Sequence, residues 1–194
     1  MRTSVFGFVL TVACMSASLA AWGQAESPGS PRGVDVAFTF DPTLANVTTS
    51  NQFWLKGGSA QVHDQVWRGL GIAGNVIGLH TGNMNNSSVG LDLLVYTAGL
   101  RYTWAPASNK LAVFGEALGG EAHGSNSIFP TGSQINTGGN SVAMQVGGGM
   151  NLPISHHFMV RAIEADWLRT QLPNATTNVQ NNIRLGAGIL YRFR

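Results

Sequence analysis

The chain has few charges, one cysteine and no long apolar run beyond its first residues. Charged side chains make up 10% of its 194 residues, well below the quarter that is usual in soluble domains. The single cysteine, Cys14, lies in a segment that we expect to be removed, so the remainder can form no disulfide and no thiolate metal site. After that segment, no stretch approaches the roughly 20 apolar residues of a membrane helix. A net charge of +2 provides no clustered basic face of the kind that binds nucleic acid.

The first residues have the pattern of an export signal. Arg2 precedes the apolar run 5–13, and small residues follow up to Gly23-Gln24-Ala25. We therefore expect residues 1–25 to be a signal peptide and residues 26–194 to form one exported domain. Lipid attachment at Cys14 is disfavoured because Thr11-Val12-Ala13 lacks the usual leucine.

The chain is rich in glycine, at 25 residues, and in segments where apolar and polar side chains alternate. In the last segment Ile183 and Leu185 share one face while Arg184 and Arg192 share the other, with apolar Leu190 as the exception. A period of two is typical of a β-strand with one apolar and one polar face. Eight segments have this pattern and a length sufficient to cross a bilayer at a tilt: 33–41, 52–63, 68–80, 91–104, 110–122, 140–152, 157–170 and 181–193.

Low charge, abundant glycine and an even number of alternating segments predict an all-β fold. The expected architecture is an eight-stranded antiparallel transmembrane β-barrel with up-and-down meander topology, its apolar faces outward and its small or polar faces inside. The fourth segment then places Leu94 and Leu100 outside, with Thr97 and Arg101 inside. Aromatic residues recur near the segment ends, as in interfacial girdles: Phe53, Trp54, Trp67, Tyr102, Trp104, Trp167, Tyr191 and Phe193.

The connections between segments alternate in length, which predicts an orientation. Compact turns are expected at 64–67, 105–109 and 153–156, and longer loops rich in Asn, Ser, Thr and Gly elsewhere, the longest at 123–139. Short turns belong to the periplasmic side of such barrels and long loops to the outside. Both ends of the barrel are therefore expected on the periplasmic side.

The inward face carries most of the charge. Opposite charges are expected to pair in a narrow lumen, because an unpaired charge there is costly to desolvate. Side chains nearly fill an eight-stranded barrel, so a plugged lumen is favoured over a conducting one. The predicted lumen charges are Arg101, Glu116, Glu164, Asp166, Arg184 and Arg192, with Asp35 as a further candidate.

Two patterns suggest catalysis, and neither is strong. Glu164 and Asp166 share a face and could act as an acid and base pair, but carboxylates beside arginines are more often structural. The stretch His123-Gly124-Ser125-Asn126 is similar to the His-x-Ser-Asn pattern of outer-membrane lipid A deacylases, which are also small barrels. An acidic residue should follow closely to orient the histidine, and none occurs before Glu164. We therefore predict that His123 is a solvated loop residue.

The sequence predicts no metal site and no cofactor. His156 and His157 are adjacent, and neighbouring side chains on a strand point apart. The stretch 147–149 is three glycines without the lysine and helix of a phosphate-binding loop. His156 and His157 are expected in a periplasmic turn, and the three glycines are expected to permit strand curvature.

Three stretches together carry a resemblance to a known family: 34–38 (VDVAF), 164–170 (EADWLRT) and 181–193 (NNIRLGAGILYRF). In their order they resemble the small outer-membrane β-barrel family related to the transmembrane domain of outer membrane protein A. The resemblance implies location in the bacterial outer membrane, as a monomer among outer-membrane lipid and lipopolysaccharide. It also implies insertion by the outer-membrane assembly machinery, which reads an aromatic carboxy-terminal strand; Tyr191 and Phe193 would be that signal, although Arg194 follows.

The first functional hypothesis is a non-enzymatic barrel of the cell envelope. It would have a plugged lumen and would contribute to envelope integrity or present its loops to partners. A porin-like narrow channel for ions or small solutes is the main alternative. A lipid A-modifying enzyme built on His123 and Ser125, and a soluble secreted barrel that holds a small ligand, are weaker ones.

Overall fold

The computed structural model describes residues 33–49, 51–84, 89–105, 111–131, 133–174 and 177–193. The predicted signal peptide, most of the predicted turn at 105–109, and Arg194 lie outside these ranges. Within them, no helix is long and apolar enough to cross a membrane. The strands are β1 Val34–Phe40, β2 Thr43–Ala45, β3 Phe53–Trp67, β4 Leu70–Thr81, β5 Leu91–Trp104, β6 Ala112–Thr131, β7 Gln134–Pro153, β8 Phe158–Thr170 and β9 Gln180–Phe193.

The strands form a closed antiparallel barrel. From β3 to β9 each strand pairs with the next, and β9 pairs with both β1 and β2 to close the ring. β1 and β2 both lie between β3 and β9, so they are two parts of one barrel strand, interrupted at Asp41-Pro42. Proline cannot donate to a ladder, but the Pro42 carbonyl accepts a hydrogen bond from the Leu185 amide at 3.0 Å. The prediction of an eight-stranded meander barrel is confirmed.

Two predicted connections are strands in the structure. The expected loop at 123–139 is largely a hairpin, because β6 continues to Thr131 and β7 begins at Gln134. Its Asn, Ser and Gly content favours a loop locally, but the pairing of β6 with β7 continues through it, with one register shift between Ser125 and Phe129. The expected turn at 64–67 also belongs to a strand, and the chain reverses at Arg68 and Gly69, where φ is 39° and 90°. Two successive positive φ angles are typical of the tight turns that match strand twist.

The outer surface carries an apolar band. We call the end of the barrel with the short connections the turn end and the opposite end the loop end. Starting from the turn end, the outward side chains of each strand are mainly apolar for about ten residues. At about 3.3 Å per residue and the usual strand tilt, this apolar band is roughly 25 Å high, as in other membrane barrels. Polar residues such as Lys56, His80 and Asn140 then follow on the outward face. At the turn end the exposed aromatic residues are Trp67, Tyr102, Trp104, Phe158 and Phe193.

The interior has two compartments. The turn-end half contains the buried charges described below, above a small apolar floor of Ala37, Met159 and Leu190. The loop-end half is apolar, which corrects the expectation of a polar lumen throughout: on β5, three inward positions are leucine or valine. The residues of this apolar compartment are Ala45, Leu55, Ile77, Leu79, Leu91, Leu93, Val95, Ala122, Phe129, Ala143, Leu168 and Leu172.

Candidate functional site: the charged lumen

One row of inward residues crosses five strands at the same level of the barrel. Arg101, Glu116, Gly147, Asp166 and Arg184 are successive register partners from β5 to β9. The row therefore has two cations outside two carboxylates, with a glycine in the middle. A Cβ atom at Gly147 would lie 1.9 Å from Oδ1 of Asp166. The glycine leaves space that the Asp166 carboxylate occupies, which brings the two acids towards each other.

Arg184 lies at the centre of the ion pairs. Its guanidinium contacts the carboxylates of Glu164 and Asp166, and its Nη1 lies 2.8 Å from Oδ2 of Asp41. The same nitrogen donates to the Ser59 hydroxyl at 3.1 Å. The side chains of Arg184, Asp41, Glu164 and Asp166 are all fully buried. Asp41 reaches this position because the first barrel strand is interrupted there.

Arg161 is a third buried cation beside Arg101 and Arg184, and the sequence analysis missed it. Its Nη1 donates to Glu164 Oε2 at 2.5 Å and to Gln61 Oε1 at 2.8 Å, and its Nε donates to Asn151 Oδ1 at 3.2 Å. Strict alternation from Glu164 would put Arg161 outside. β8 has one more residue than its neighbours between Arg161 and Glu164, and this β-bulge turns both side chains inward.

A signal for that bulge does exist in the sequence. An outward Arg161 would lie within the apolar band, where a lipid-facing arginine is destabilising, by about 2–4 kcal/mol at the bilayer midplane and by less towards the interfaces. A one-residue bulge avoids this cost by placing Ala162 and Ile163, both exposed, on the outer face in succession. The sequence signal for the bulge is therefore an arginine that strict alternation would place against lipid.

Gln61 joins the two arginines to a third acid. Its carbonyl oxygen accepts from Arg101 at 2.6 Å and from Arg161 at 2.8 Å, while its amide nitrogen donates to both oxygens of Glu116 at 3.0 Å. Gln145 donates to the same carboxylate at 3.1 Å. The direct distance from Arg101 to Glu116 is longer, at 3.8 Å. The glutamine amide dipole thus lies with its oxygen towards the cations and its nitrogen towards the anion.

An aromatic ring lies against both of these arginines. The guanidinium carbons of Arg101 and Arg161 are 3.5 Å and 4.7 Å from the ring centroid of buried Phe114. Cation–π contacts of this kind strengthen when desolvated. We refer below to the lumen network as Asp41, Gln61, Arg101, Glu116, Gln145, Arg161, Glu164, Asp166 and Arg184.

The last predicted lumen cation, Arg192, lies apart from the lumen network. Its Nε and Nη2 donate to the two oxygens of Asp35 at 2.7 Å and 2.8 Å. His63 Nδ1 is 3.8 Å from the same carboxylate. Five of the predicted lumen charges therefore lie together in the structure: Arg101, Glu116, Glu164, Asp166 and Arg184. The sixth, Arg192, has the separate partner Asp35 near the turn end.

The carboxylates of the lumen network also resemble a cation site in their spacing. Oxygen atoms of Glu116, Glu164 and Asp166 lie within 4.8 Å of one another. Guanidinium and amide donors occupy the positions around them, as described above. The arginines thus supply the positive charge that a metal ion would otherwise supply.

The histidines singled out in the sequence lie outside the lumen. His123 is exposed on β6, so its prediction as a loop residue is wrong; its Nδ1 lies 2.5 Å from Oδ1 of Asn140 on the neighbouring strand. His157 follows the end of β7 and stacks on Tyr191 with 5.8 Å between ring centroids. Tyr191 in turn contacts Phe193 edge to face at 4.7 Å. The two aromatic residues of the predicted assembly signal therefore form one cluster at the turn end.

A closed barrel with an apolar outer band is a membrane-spanning structure, because every strand is paired and no backbone edge meets lipid. The chain is an integral β-barrel protein with the fold of small bacterial outer-membrane proteins. It superposes on neisserial surface protein A with a TM-score of 0.62 and 13% identity over 82% of this chain and 97% of that one. The attachment invasion locus protein Ail of Yersinia pestis gives 0.57 and 14% identity, over 84% and 100%. No protein-family model and no curated protein matches the sequence.

Proposed function

We propose that this protein is a non-enzymatic outer-membrane barrel with a closed lumen, which strengthens the envelope and acts as a rigid scaffold for its surface segments. The observation that carries this proposal is the lumen network. Its three arginines are each at most 2% exposed and are the largest fully buried side chains among the described residues. Long charged side chains buried to this extent occupy the cross-section that a solute would need.

The apolar compartment supports closure on the loop side. The Phe129 ring covers its upper end: a Cβ atom at Gly124 would lie 2.5 Å from that ring, and one at Gly139 would lie 3.4 Å away. A small cavity in this compartment, among Leu55, Leu93 and Leu172, has a volume of about 30 Å³. About 10–15 Å³ of such space is needed for one water molecule, so the cavity has room for about two. A conducting path would have to open both compartments.

Single-channel recording of the purified protein in planar bilayers tests this proposal. We expect no stepwise conductance from the wild type, with a known porin inserted under the same conditions as the positive control. Reproducible steps whose size changes in Arg101→Gln would contradict the proposal and support the narrow channel instead. Conductance steps whose size is unchanged in Arg101→Gln would indicate a leak between the barrel and the lipid. Repeating the recording with Glu121→Gln, which changes a charge on the outer face, tests for that leak.

The enzyme alternative has a separate test. His123 Nδ1 faces the amide of Asn140 rather than a carboxylate, which supports a non-catalytic role. We expect the mass profile of lipid A to be identical in cells that express the wild type, Ser125→Ala or no protein. A mass change that depends on Ser125 would replace the scaffold proposal by a lipid-modifying enzyme.

The same proposal covers the oligomeric state of the barrel, the lipid around it and its route of insertion. We propose a monomer among outer-membrane lipid and lipopolysaccharide, inserted by the assembly machinery through Tyr191 and Phe193. Two outward cations near the loop end, Lys56 and Arg169, support contact with the phosphates of lipopolysaccharide. Phe193→Ala should reduce the amount of folded protein in the outer membrane, whereas Phe158→Ala, which removes another exposed ring of the same cluster, should reduce it less.

A further inference from the structure

The lumen network contains more acids than cations. Its three arginines and four carboxyl groups would carry a net charge of −1 if all of them were ionised, and each is at most 5% exposed. The only other buried carboxylate among the described residues, Asp35, is already paired with Arg192. A net charge is costly where water is excluded, because nothing replaces its hydration. The excess negative charge therefore requires a bound cation or a bound proton.

Asp166 is the acid whose surroundings favour a proton most. Its Oδ2 contacts Arg184, but its Oδ1 has no hydrogen-bond partner among the described residues and lies against Gly147. Gly147 separates Asp166 from Glu116 in the row across the barrel, so the unpartnered oxygen is directed towards a second acid. Oxygen atoms of Glu116, Glu164 and Asp166 lie within 4.8 Å of one another. Asp166 therefore has acids on two sides and a single contact with a cation.

The other three acids of the lumen network are better placed to stay ionised. Glu164 has both oxygens in ion pairs with arginines. Both oxygens of Glu116 accept hydrogen bonds from the amide of Gln61 at 3.0 Å. The oxygens of Asp41 also lack hydrogen bonds, but Asp41 pairs with Arg184 at 2.8 Å and does not belong to the group of three close carboxyl groups.

A protonated His63 would also balance the charge, but its position disfavours this. His63 is buried, and its Nδ1 is 3.8 Å from Asp35, whose two oxygens already accept from Arg192. Its Nε2 lies against Gly71, which is the register partner of Arg101. A positive charge on this ring would therefore lie close to a buried guanidinium, and a nearby like charge disfavours the charged form.

We propose that Asp166 holds a proton when the barrel is folded at neutral pH, and that this proton neutralises the lumen network. The hydroxyl of the protonated group donates to a neighbouring carboxylate, while its other oxygen accepts from Arg184. Glu164 is a suitable acceptor, because its side chain is within hydrogen-bonding range of Asp166. This inference rests on the closed lumen proposed above, since ions from solution would balance the charge of an open one.

The proton links the stability of the barrel to pH. Among the strands around Asp166, β4 and β7 contribute only neutral inward side chains. The charged or titratable groups on the other elements are His63, Arg101, Glu116, Arg161, Glu164, Arg184 and Asp41. An aspartate in the unfolded chain is ionised at neutral pH, so folding takes up one proton. The folded barrel then binds more protons than the unfolded chain, and its stability decreases as the pH rises.

Infrared spectroscopy of the purified barrel in lipid vesicles tests for the proton directly. At neutral pH we expect the wild type to show the C=O stretch of a protonated carboxyl group, shifted in heavy water, and Asp166→Asn to lack it. The band should remain in Asp41→Asn and in His63→Gln, which change the two other candidate groups. No such band in the wild type, or a band that is lost in Asp41→Asn instead, would overturn the proposal.

Urea unfolding at several pH values tests the link to stability. Asp166→Asn replaces a protonated acid by a neutral amide of the same shape, so its unfolding midpoint at neutral pH should stay close to that of the wild type. As the pH rises from neutral, the unfolding equilibrium constant of the wild type should increase relative to that of Asp166→Asn, by up to about tenfold per pH unit. A midpoint for Asp166→Asn as low as that of Glu164→Gln would mean that Asp166 is ionised, against the proposal.

A bound metal ion is the alternative to a proton. Stability of the wild type that depends on Na⁺ or K⁺ at constant ionic strength, with choline as the replacement and without the infrared band, would overturn the proposal in favour of a metal cation. Conductance recorded on the same preparation separates two kinds of failure. Channel steps without the band would mean that the lumen is open, whereas the absence of both would mean that the assignment of the proton alone is wrong.

Discussion

The two halves of the lumen solve the same packing problem with different interactions. In the turn-end half, the side chains of the lumen network are held by directed contacts between particular atoms, such as Arg184 with three carboxylates. In the loop-end half, twelve apolar side chains fill the space without directed contacts. The charged half should therefore tolerate no change of charge, whereas the apolar half should tolerate changes that keep its volume.

The largest effect is expected from Arg184→Leu. The substitution leaves Asp41, Glu164 and Asp166 without their shared cation, and breaking a buried pair costs about 3–5 kcal/mol. Urea unfolding in lipid vesicles, followed by tryptophan fluorescence, measures this loss. Arg169→Leu changes the same residue type on the adjacent strand at an outward, half-buried position and should shift the midpoint little. Equal shifts for the two variants would contradict the assignment of the charge network.

A smaller loss is expected from Glu164→Gln. The amide keeps the shape but weakens the bonds from Arg161 and Arg184, and hydrogen bonds to charged groups contribute about 1.5–3 kcal/mol. The same unfolding measurement applies, with Glu121→Gln on the exposed outer face as the control. An unchanged midpoint for Glu164→Gln would mean that the pairing in the lumen does not stabilise the barrel.

Gly147→Ala tests the gap between the two acids of the central row. The new methyl group would overlap Asp166 Oδ1 at 1.9 Å and the Ala165 carbonyl oxygen at 2.4 Å. Overpacking of this kind costs about 1–3 kcal/mol. Gly119→Ala is the matched control, because a Cβ atom there meets nothing within 4 Å. A destabilisation no greater than that of the control would show that Asp166 moves away freely.

The smallest effect is expected in the apolar half. Leu93→Met keeps the volume of a side chain that is 3% exposed, and such exchanges cost less than about 1.5 kcal/mol. The unfolding midpoint should stay near that of the wild type. A loss as large as that of Glu164→Gln would remove the distinction between the two compartments.

Sequence reasoning predicts the barrel better than its contents. The bounds of β5, expected at 91–104, match the structure, because the alternation over residues 96–103 marks a strand that is lipid-facing on one side. The same rule fails at Arg161, since one bulge residue reverses the faces of everything beyond it.

The apolar compartment was missed for a related reason. Leu91, Leu93 and Val95 occupy inward positions, but an apolar residue on an alternating strand is ordinarily assigned to lipid. Neighbouring Leu94 is apolar too, so alternation carries no signal there. Only the register of the whole barrel distinguishes the two faces at this level.

The partners within the lumen network come from strands far apart in the chain. Gln61 contacts Arg161 across 100 positions of sequence, and no local pattern specifies that pair. Composition predicted that charges would pair, and the closure of the barrel determined which charges did so.

The ion pairs of the first barrel strand have a consequence for the order of events in folding. Asp35 and Asp41 belong to the beginning of the barrel, and their partners Arg192 and Arg184 both lie on β9 at its end. These contacts cross the seam where the two ends of the barrel meet. Until that seam closes, Arg184 lacks one of its three acids and Arg192 lacks its only carboxylate among the described contacts. Closing the seam therefore both joins the two ends of the barrel and completes the pairing of its interior charges. A barrel that stays open at the seam keeps unpaired charge on Arg192 and an incomplete set of acids around Arg184.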